Sequence, residues 1–221
     1  MTIVRNGPDL ILLRPVNPDH DLFGKKKLLI GYAGTMGLQD GVDYLLRALR
    51  CLIDLGRTDF FCILVGDGDA LPNLRLMAEE IGLAKYLFFS GWVDHGKVAS
   101  YLSEADICVS PEPSNPYNDR STLIKIMEYM ALAKPIVAFE LPETRFTAGE
   151  AAIYATPNEE LDFARKIATL MDDPRRRKEM GRIGRERVEN ELAWPYQEAN
   201  LLDAYSRLTR TRLGRSEHPR R

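Results

Sequence analysis

A chain of 221 residues, 45% of them hydrophobic, can build a substantial core as one large domain or two small ones. Its 30 Lys and Arg stand against 32 Asp and Glu, so no global field draws it to nucleic acid or to an anionic membrane, and any anion site must be local. Cys51, Cys62 and Cys108 are odd in number, form no CxxC pair and lie in apolar runs, a pattern of reduced core thiols in a cytosolic protein and not of disulfides or a metal cluster.

The N-terminal stretch MTIVRNGPDLILLRPVNPDHDLFGKKK has no signal-peptide pattern, and no apolar run approaches the roughly 20 residues that span a bilayer. Any membrane association is expected from a part of the protein outside this chain. After Lys25-Lys26-Lys27, LLIGYAG (28–34) reads as a buried strand and GVDYLLRALRCLIDLG (41–56) as an amphipathic helix. The unit repeats: strand 59–66 with helix 70–83, strand 86–93 with helix 96–105, and strand 106–111 with a helix from about Ser121 to 133. Strand 135–139, a short helix near 142–149, strand 151–155 and helix 159–173 follow.

About six short strands, apolar on both faces and separated by helices, predict a parallel sheet covered on both sides, the doubly wound α/β architecture. Ligands of such sheets bind outside the carboxyl ends of the strands, so the loops at 34–41, 66–70, 91–96, 111–122 and 140–145 are expected to share one rim. Beyond the sheet, the charged segment 172–192 predicts an exposed helix pair and 193–208 a further helix, while the tail 209–221 lacks apolar periodicity and reads as disordered.

On the rim, the loop GTMGLQDG (34–41) holds three glycines, as a backbone does when it approaches a bulky anion or simply turns tightly. Its spacing is GxxGxxxG and not GxGxxG, which argues against a nicotinamide dehydrogenase. GDGD (66–69) reads as a turn and not as an acidic metal site. His20, His95 and His218 are too dispersed for a metal triad or a serine-hydrolase base. In SPEPSNPYNDRST (110–122), Ser121 and Thr122 stand at the expected helix start with Arg120 and Lys125 beside them; the helix N-terminus and these cations suit a diphosphate, and ordinary capping by Ser121 or Thr122 fits as well. Further along the helix, Glu128 lies beside the stripe of Leu123, Ile126, Met127, Met130 and Ala131. Local pattern alone leaves it a solvated edge residue or a ligand.

IGYAGTMGLQDGVDYLLRAL, LVGDGDALPNL, LFFSGWV, ADICVSP, KIMEYMALAKPIVAF and DDPRRRKEMGRIGRERV, in this order, resemble the segments of the donor half of group 1 (family 4) retaining glycosyltransferases. The resemblance covers roughly 28 to 208 and implies a Rossmann-like domain that is one half of a GT-B fold. Residues 1–27 would be a remnant of the interdomain connector, 28–192 the sugar-nucleotide-binding domain and 193–208 the helix that crosses back. An acceptor domain would precede this chain, and the surface meant for it, at 4–15 and 194–205, should expose apolar residues able to self-associate.

The resemblance also implies roles. Glu128 would hold the ribose hydroxyls of a UDP- or GDP-sugar, with Gly91, Trp92 and Val93 along the base. Gly34, Thr35 and Gly37, together with Arg120, Ser121, Thr122 and Lys125, would meet the rest of the donor. No cofactor and no metal are expected besides the nucleotide-sugar substrate, and the setting would be cytoplasmic, at most peripheral to a membrane. Two departures stand out. Arg120 occupies the position of a frequent second glutamate, and Thr35 and Asp40 stand where an Arg and a Lys usually flank the glycine-rich loop. The alternative to a transferase domain is a noncatalytic nucleotide-binding module descended from one.

Overall fold

The computed structural model describes residues 4–11, 13–16 and 27–213, with side chains as far as 208. In chain order the elements are β1 (Leu28–Ala33), α1 (Val42–Asp54), β2 (Phe60–Val65), α2 (Leu71–Glu80), β3 (Leu87–Gly91), α3 (His95–Glu104), β4 (Ile107–Ser110), α4 (Ile124–Ala131), β5 (Ile136–Phe139), α5 (Pro142–Ala148), β6 (Ala152–Ala155), α6 (Glu160–Met171), α7 (Pro174–Arg187) and α8 (Trp194–Leu213). The six strands form one parallel sheet in the order β3-β2-β1-β4-β5-β6, so the expected doubly wound architecture is the observed one.

Alternation along the strands explains the two-sided cover. Ile30, Tyr32, Cys62, Leu64, Val109 and Phe139 enter one core with α1, α2 and α6. Their neighbours Ala33, Ile63, Val65, Cys108 and Ala138 enter a second core with α3 and α4. Cys62 and Cys108 are free thiols in these cores, and burial pushes the Cys108 thiol up to about 12.

The expected exposed helix pair at 172–192 is instead one helix, α7, followed by a wide turn, Val188–Leu192. Nor is it solvated all round. A Cβ at Gly181 would lie 2.1 Å from the Ala133 carbonyl oxygen, and one at Gly184 would lie 3.0 Å from the Ala151 Cβ, so α7 packs its glycine face directly on the end of α4 and the residues beyond. Charge patterning hid this face because its two contacts are made by residues without side chains.

Helix α8 continues five residues past 208, to Leu213; of the expected disordered tail, 214–221 lies outside the described residues, as do 1–3, 12 and 17–26 of the connector. The described part of the connector is held at several points. Arg5 donates its backbone N–H to Gln197 Oε1 at 2.9 Å, pairs with Glu143 and stacks over the Phe146 ring at 4.4 Å. Near it, Val4, Ile11, Trp194, Tyr196, Leu202 and Tyr205 are exposed apolar side chains, and a groove of about 470 Å³ runs between 7–11 and 193–196. No described helix is long and apolar enough to cross a membrane.

Candidate functional site at the β1–β4 crevice

β1 lies between β2 and β4, so the chain winds outward in opposite directions from it and leaves a crevice at the carboxyl ends of β1 and β4. Tyr129 of α4 ties the two ends together. Its fully buried hydroxyl accepts the Ala33 N–H at 2.9 Å and lies 3.2 Å from the Val109 carbonyl oxygen. Tyr129→Phe should leave the Ala33 N–H without this partner and destabilise the fold by about 1–3 kcal/mol in urea titration; a loss below about 0.5 kcal/mol, the scatter of neutral surface changes, would show that the hydroxyl does not tie the strands.

The Gly34 loop is clamped by its neighbour. Gly34 N–H donates to the Val65 carbonyl at 3.0 Å, Met36 N–H to the Asp67 carbonyl at 3.0 Å, and Gly37 N–H to Asp40 Oδ2 at 3.0 Å. Thr35 N–H has no such partner among the described residues, and Thr35 is exposed. GDGD is the turn expected of it, with Asp67 Oδ1 accepting the Gly68 N–H at 2.8 Å.

A cavity of about 340 Å³ opens beside this loop, lined by Gly34, Thr35, Trp92, Val93, His95 and Glu128 among others. Five of the expected residues, Gly34, Thr35, Trp92, Val93 and Glu128, therefore share one cavity. Glu128 is not a solvated edge residue: burial raises its carboxyl above the ordinary glutamate range, while His95 and Lys125 pull it back. His95 was not legible as a site residue, although one signal was present. Asp94 caps α3 by accepting the Lys97 N–H at 2.9 Å, and recognising that cap fixes His95, within the expected rim loop 91–96, in the first turn of the helix.

The other expected residues do not line the cavity. Helix α4 begins at Ile124, with Leu123 at its cap position and no side-chain cap, so neither Ser121 nor Thr122 caps it. Ser121 Oγ donates to the Tyr117 carbonyl at 2.8 Å, and Thr122 Oγ1 lies 3.1 Å from Glu143 Oε2. The cause lies in the preceding loop. Asn115 Oδ1 accepts the Tyr117 and Asn118 N–H groups, and the Asn118 amide donates to the Gln39 and Pro113 carbonyls, which winds 118–120 into a short 3-10 turn and leaves Leu123 extended. Arg120 ends that turn, exposed, and the Gly37 N–H is taken by Asp40.

Lys125 stands apart from both groups. Only 10% of its side chain is exposed, and its ammonium sits under the loop, 2.7 Å from where a Cβ on Gly34 would be. It pairs with Glu112, donates to the Tyr32 hydroxyl at 3.1 Å and lies 4.4 Å from the centre of that ring. Sequence reasoning missed Glu112, Tyr32 and Asp40 as parts of this site. A carboxylate in a proline-rich loop reads as solvated, and only the fold shows Glu112 buried at 2% exposure.

The model of the family described as Glycosyl transferases group 1 matches residues 27–173. This chain belongs to that family. Among the relatives of this group 1 glycosyltransferase chain, the 2-deoxystreptamine glucosyltransferase of Streptomyces kanamyceticus is 24% identical over 182 residues, covering 81% of this chain and 46% of the relative. A GDP-mannose-dependent phosphatidylinositol monomannoside mannosyltransferase of Corynebacterium glutamicum is 26% identical over 203 residues, covering 86% and 51%. The chain thus spans about half the length of these curated relatives. Among solved structures, sucrose-phosphate synthase of Thermosynechococcus elongatus superposes with a TM-score of 0.79 at 23% identity, covering 94% of this chain and 52% of that one. The C-terminal domain of the group 1 glycosyltransferase LpcC of Francisella tularensis does so with a TM-score of 0.69 at 19% identity, covering 85% and 99%. These likenesses show the Rossmann-like fold found in GT-B glycosyltransferases.

Proposed function

We propose that this domain binds the nucleotide-sugar donor of a retaining glycosyltransferase, of UDP or GDP type, in the β1–β4 crevice. The observation that carries the reading is the single cavity in which the half-buried Glu128 carboxylate, the Trp92-Val93 loop and the Gly34-Thr35 loop face one another. A carboxylate can accept two O–H bonds from a vicinal diol, which suits Glu128 to ribose. Trp92, exposed over most of its surface, offers an apolar face to a base. The Thr35 N–H, unpartnered among the described residues, the first N–H groups of α4 and the Lys125 ammonium supply positive potential for a diphosphate, and would stabilise it as a leaving group in the transition state.

The acceptor would bind a further domain, and the apolar groove between the connector and α8 is the surface suited to receive it. Support for a donor half comes from the near-complete coverage of the LpcC C-terminal domain. A cytoplasmic setting accompanies this reading, to which the three free cysteines are suited. The second reading, a noncatalytic nucleotide-binding module, draws on Arg120, which is exposed where the resemblance leads one to expect a sugar-contacting glutamate. Sugar transfer by this domain joined to its acceptor half separates the two.

Calorimetric titration with UDP, GDP, ADP and dTDP tests the site and names the base. Glu128→Gln should weaken the preferred nucleoside diphosphate by about 1–3 kcal/mol, the range for a hydrogen bond to a charged group, and leave the fold intact. The 2′,3′-dideoxy analogue should bind both proteins alike. Undiminished discrimination between ribose and dideoxyribose in the variant would remove Glu128 from the site.

A further inference from the structure

The ammonium of Lys125 has three N–H donors. One serves Glu112 and another the Tyr32 hydroxyl. For the third, no acceptor lies within hydrogen-bond reach among the described residues; Asp40 Oδ1 stands off at 3.9 Å. Asp40 is held back by its own loop, because Oδ2 accepts the Gly37 N–H at 3.0 Å. The polar chain extends both ways, from Ser110, which donates to Glu112, to the Thr35 carbonyl, which accepts from the Tyr32 hydroxyl at 2.7 Å. One cation is thus faced by two carboxylates, one bonded to it and one not, directly under the loop that lines the cavity.

We propose that Asp40 is a restraining counter-ion: it stands 3.9 Å from the Lys125 ammonium, under the loop that lines the cavity, and its charge offsets the potential that would attract a ligand's phosphate there. The proposal rests on the donor-site reading above and adds to it a residue that restrains affinity. Glu112 and Tyr32, bonded directly, keep the ammonium in place with or without ligand. Asp40 contributes a negative charge near an incoming anion without a hydrogen bond to the cation in return, a like-charge arrangement that weakens binding. Burial raises the Asp40 carboxyl above its ordinary range; Lys125 and the Gly37 N–H oppose this, and Glu112 adds to it. Anion binding should therefore favour the protonated carboxyl, so the penalty that the Asp40 charge imposes should shrink as the pH falls from neutral toward the carboxylate range.

The test measures inorganic pyrophosphate, the preferred nucleoside diphosphate and its free nucleoside against wild type, Asp40→Asn and Asp40→Ala. Asn keeps an oxygen for the Gly37 N–H and loses only the charge; Ala loses both. Asp40→Asn should bind both phosphate ligands about three- to tenfold more tightly at neutral pH, with the nucleoside unchanged, and wild type should approach the variant as the pH falls. Equal or weaker pyrophosphate binding by Asp40→Asn overturns the proposal, and if Asp40→Ala alone loses affinity, Asp40 is a loop cap only. Should pyrophosphate show the gain while no nucleotide binds either protein, the counter-ion role stands and the nucleotide reading falls. If neither protein binds any phosphate ligand, both fall together.

Discussion

Lys125→Met should lower the stability of this domain by about 3–5 kcal/mol, the cost of leaving one member of a buried ion pair alone, as read from the midpoint of urea unfolding. Methionine fills the volume of the stem, so the loss isolates the charge. Burial alone would drive the proton off Lys125, but Glu112 and Tyr32 outweigh it and hold the ammonium charged. The sign follows. A lysine whose folded-state affinity for its proton is raised contributes fully below its ordinary range and loses the contribution only as the pH climbs beyond it, so the loss should be undiminished at neutral pH. Lys125→Met with Glu112→Gln should be less destabilised than Lys125→Met alone, because the stranded carboxylate is gone. Arg120→Met, at an exposed position, should stay within about 0.5 kcal/mol of wild type. If Lys125→Met proves as mild as Arg120→Met, the Lys125–Glu112 pair is open to water and is not a buried ion pair.

The contrast between these two cations marks the limit of what could be read from the chain. Both stand beside an expected helix start, and residue type and spacing made them equivalent. Strand count, sheet class and the shared rim were legible because apolar runs alternating with amphipathic helices admit few packings. Glu128 became readable as a candidate ligand only through the family resemblance, since its neighbours along the helix allow an edge residue equally well. Lys125 differs from Arg120 by what lies across the crevice, namely Glu112 from the loop after β4 and Tyr32 from β1. Those contacts join residues 13 and 93 positions from the lysine, and no local pattern reports them. The start of α4 was misplaced for a related reason. Ser121 and Thr122 have the chemistry of caps, but Asn115 and Asn118 bond first to the loop and set the turn ahead of them.

Gly66→Ala should cost about 3–5 kcal/mol, which tests the contact that holds the site's floor. An added Cβ would fall 1.9 Å from the Gly34 carbonyl oxygen, and the backbone at 66 has φ +133, a conformation side chains disfavour. Gly56→Ala separates the two causes, because its φ is +85 and none of the described residues lies within 4 Å of its Cβ position; backbone strain alone should cost it about 1–2 kcal/mol. The excess loss in Gly66→Ala is the loop-to-loop contact together with the greater strain of φ +133 over +85, and equal losses would mean that Gly34 and Gly66 do not touch in solution. The contact also has a chemical reading. Pushing Gly34 off Gly66 shifts the backbone under which the Lys125 ammonium sits, so pyrophosphate affinity should fall in Gly66→Ala and persist in Gly56→Ala under conditions where both remain folded. Gly66, which itself lines the cavity, would then govern binding through one carbonyl and one lysine as well.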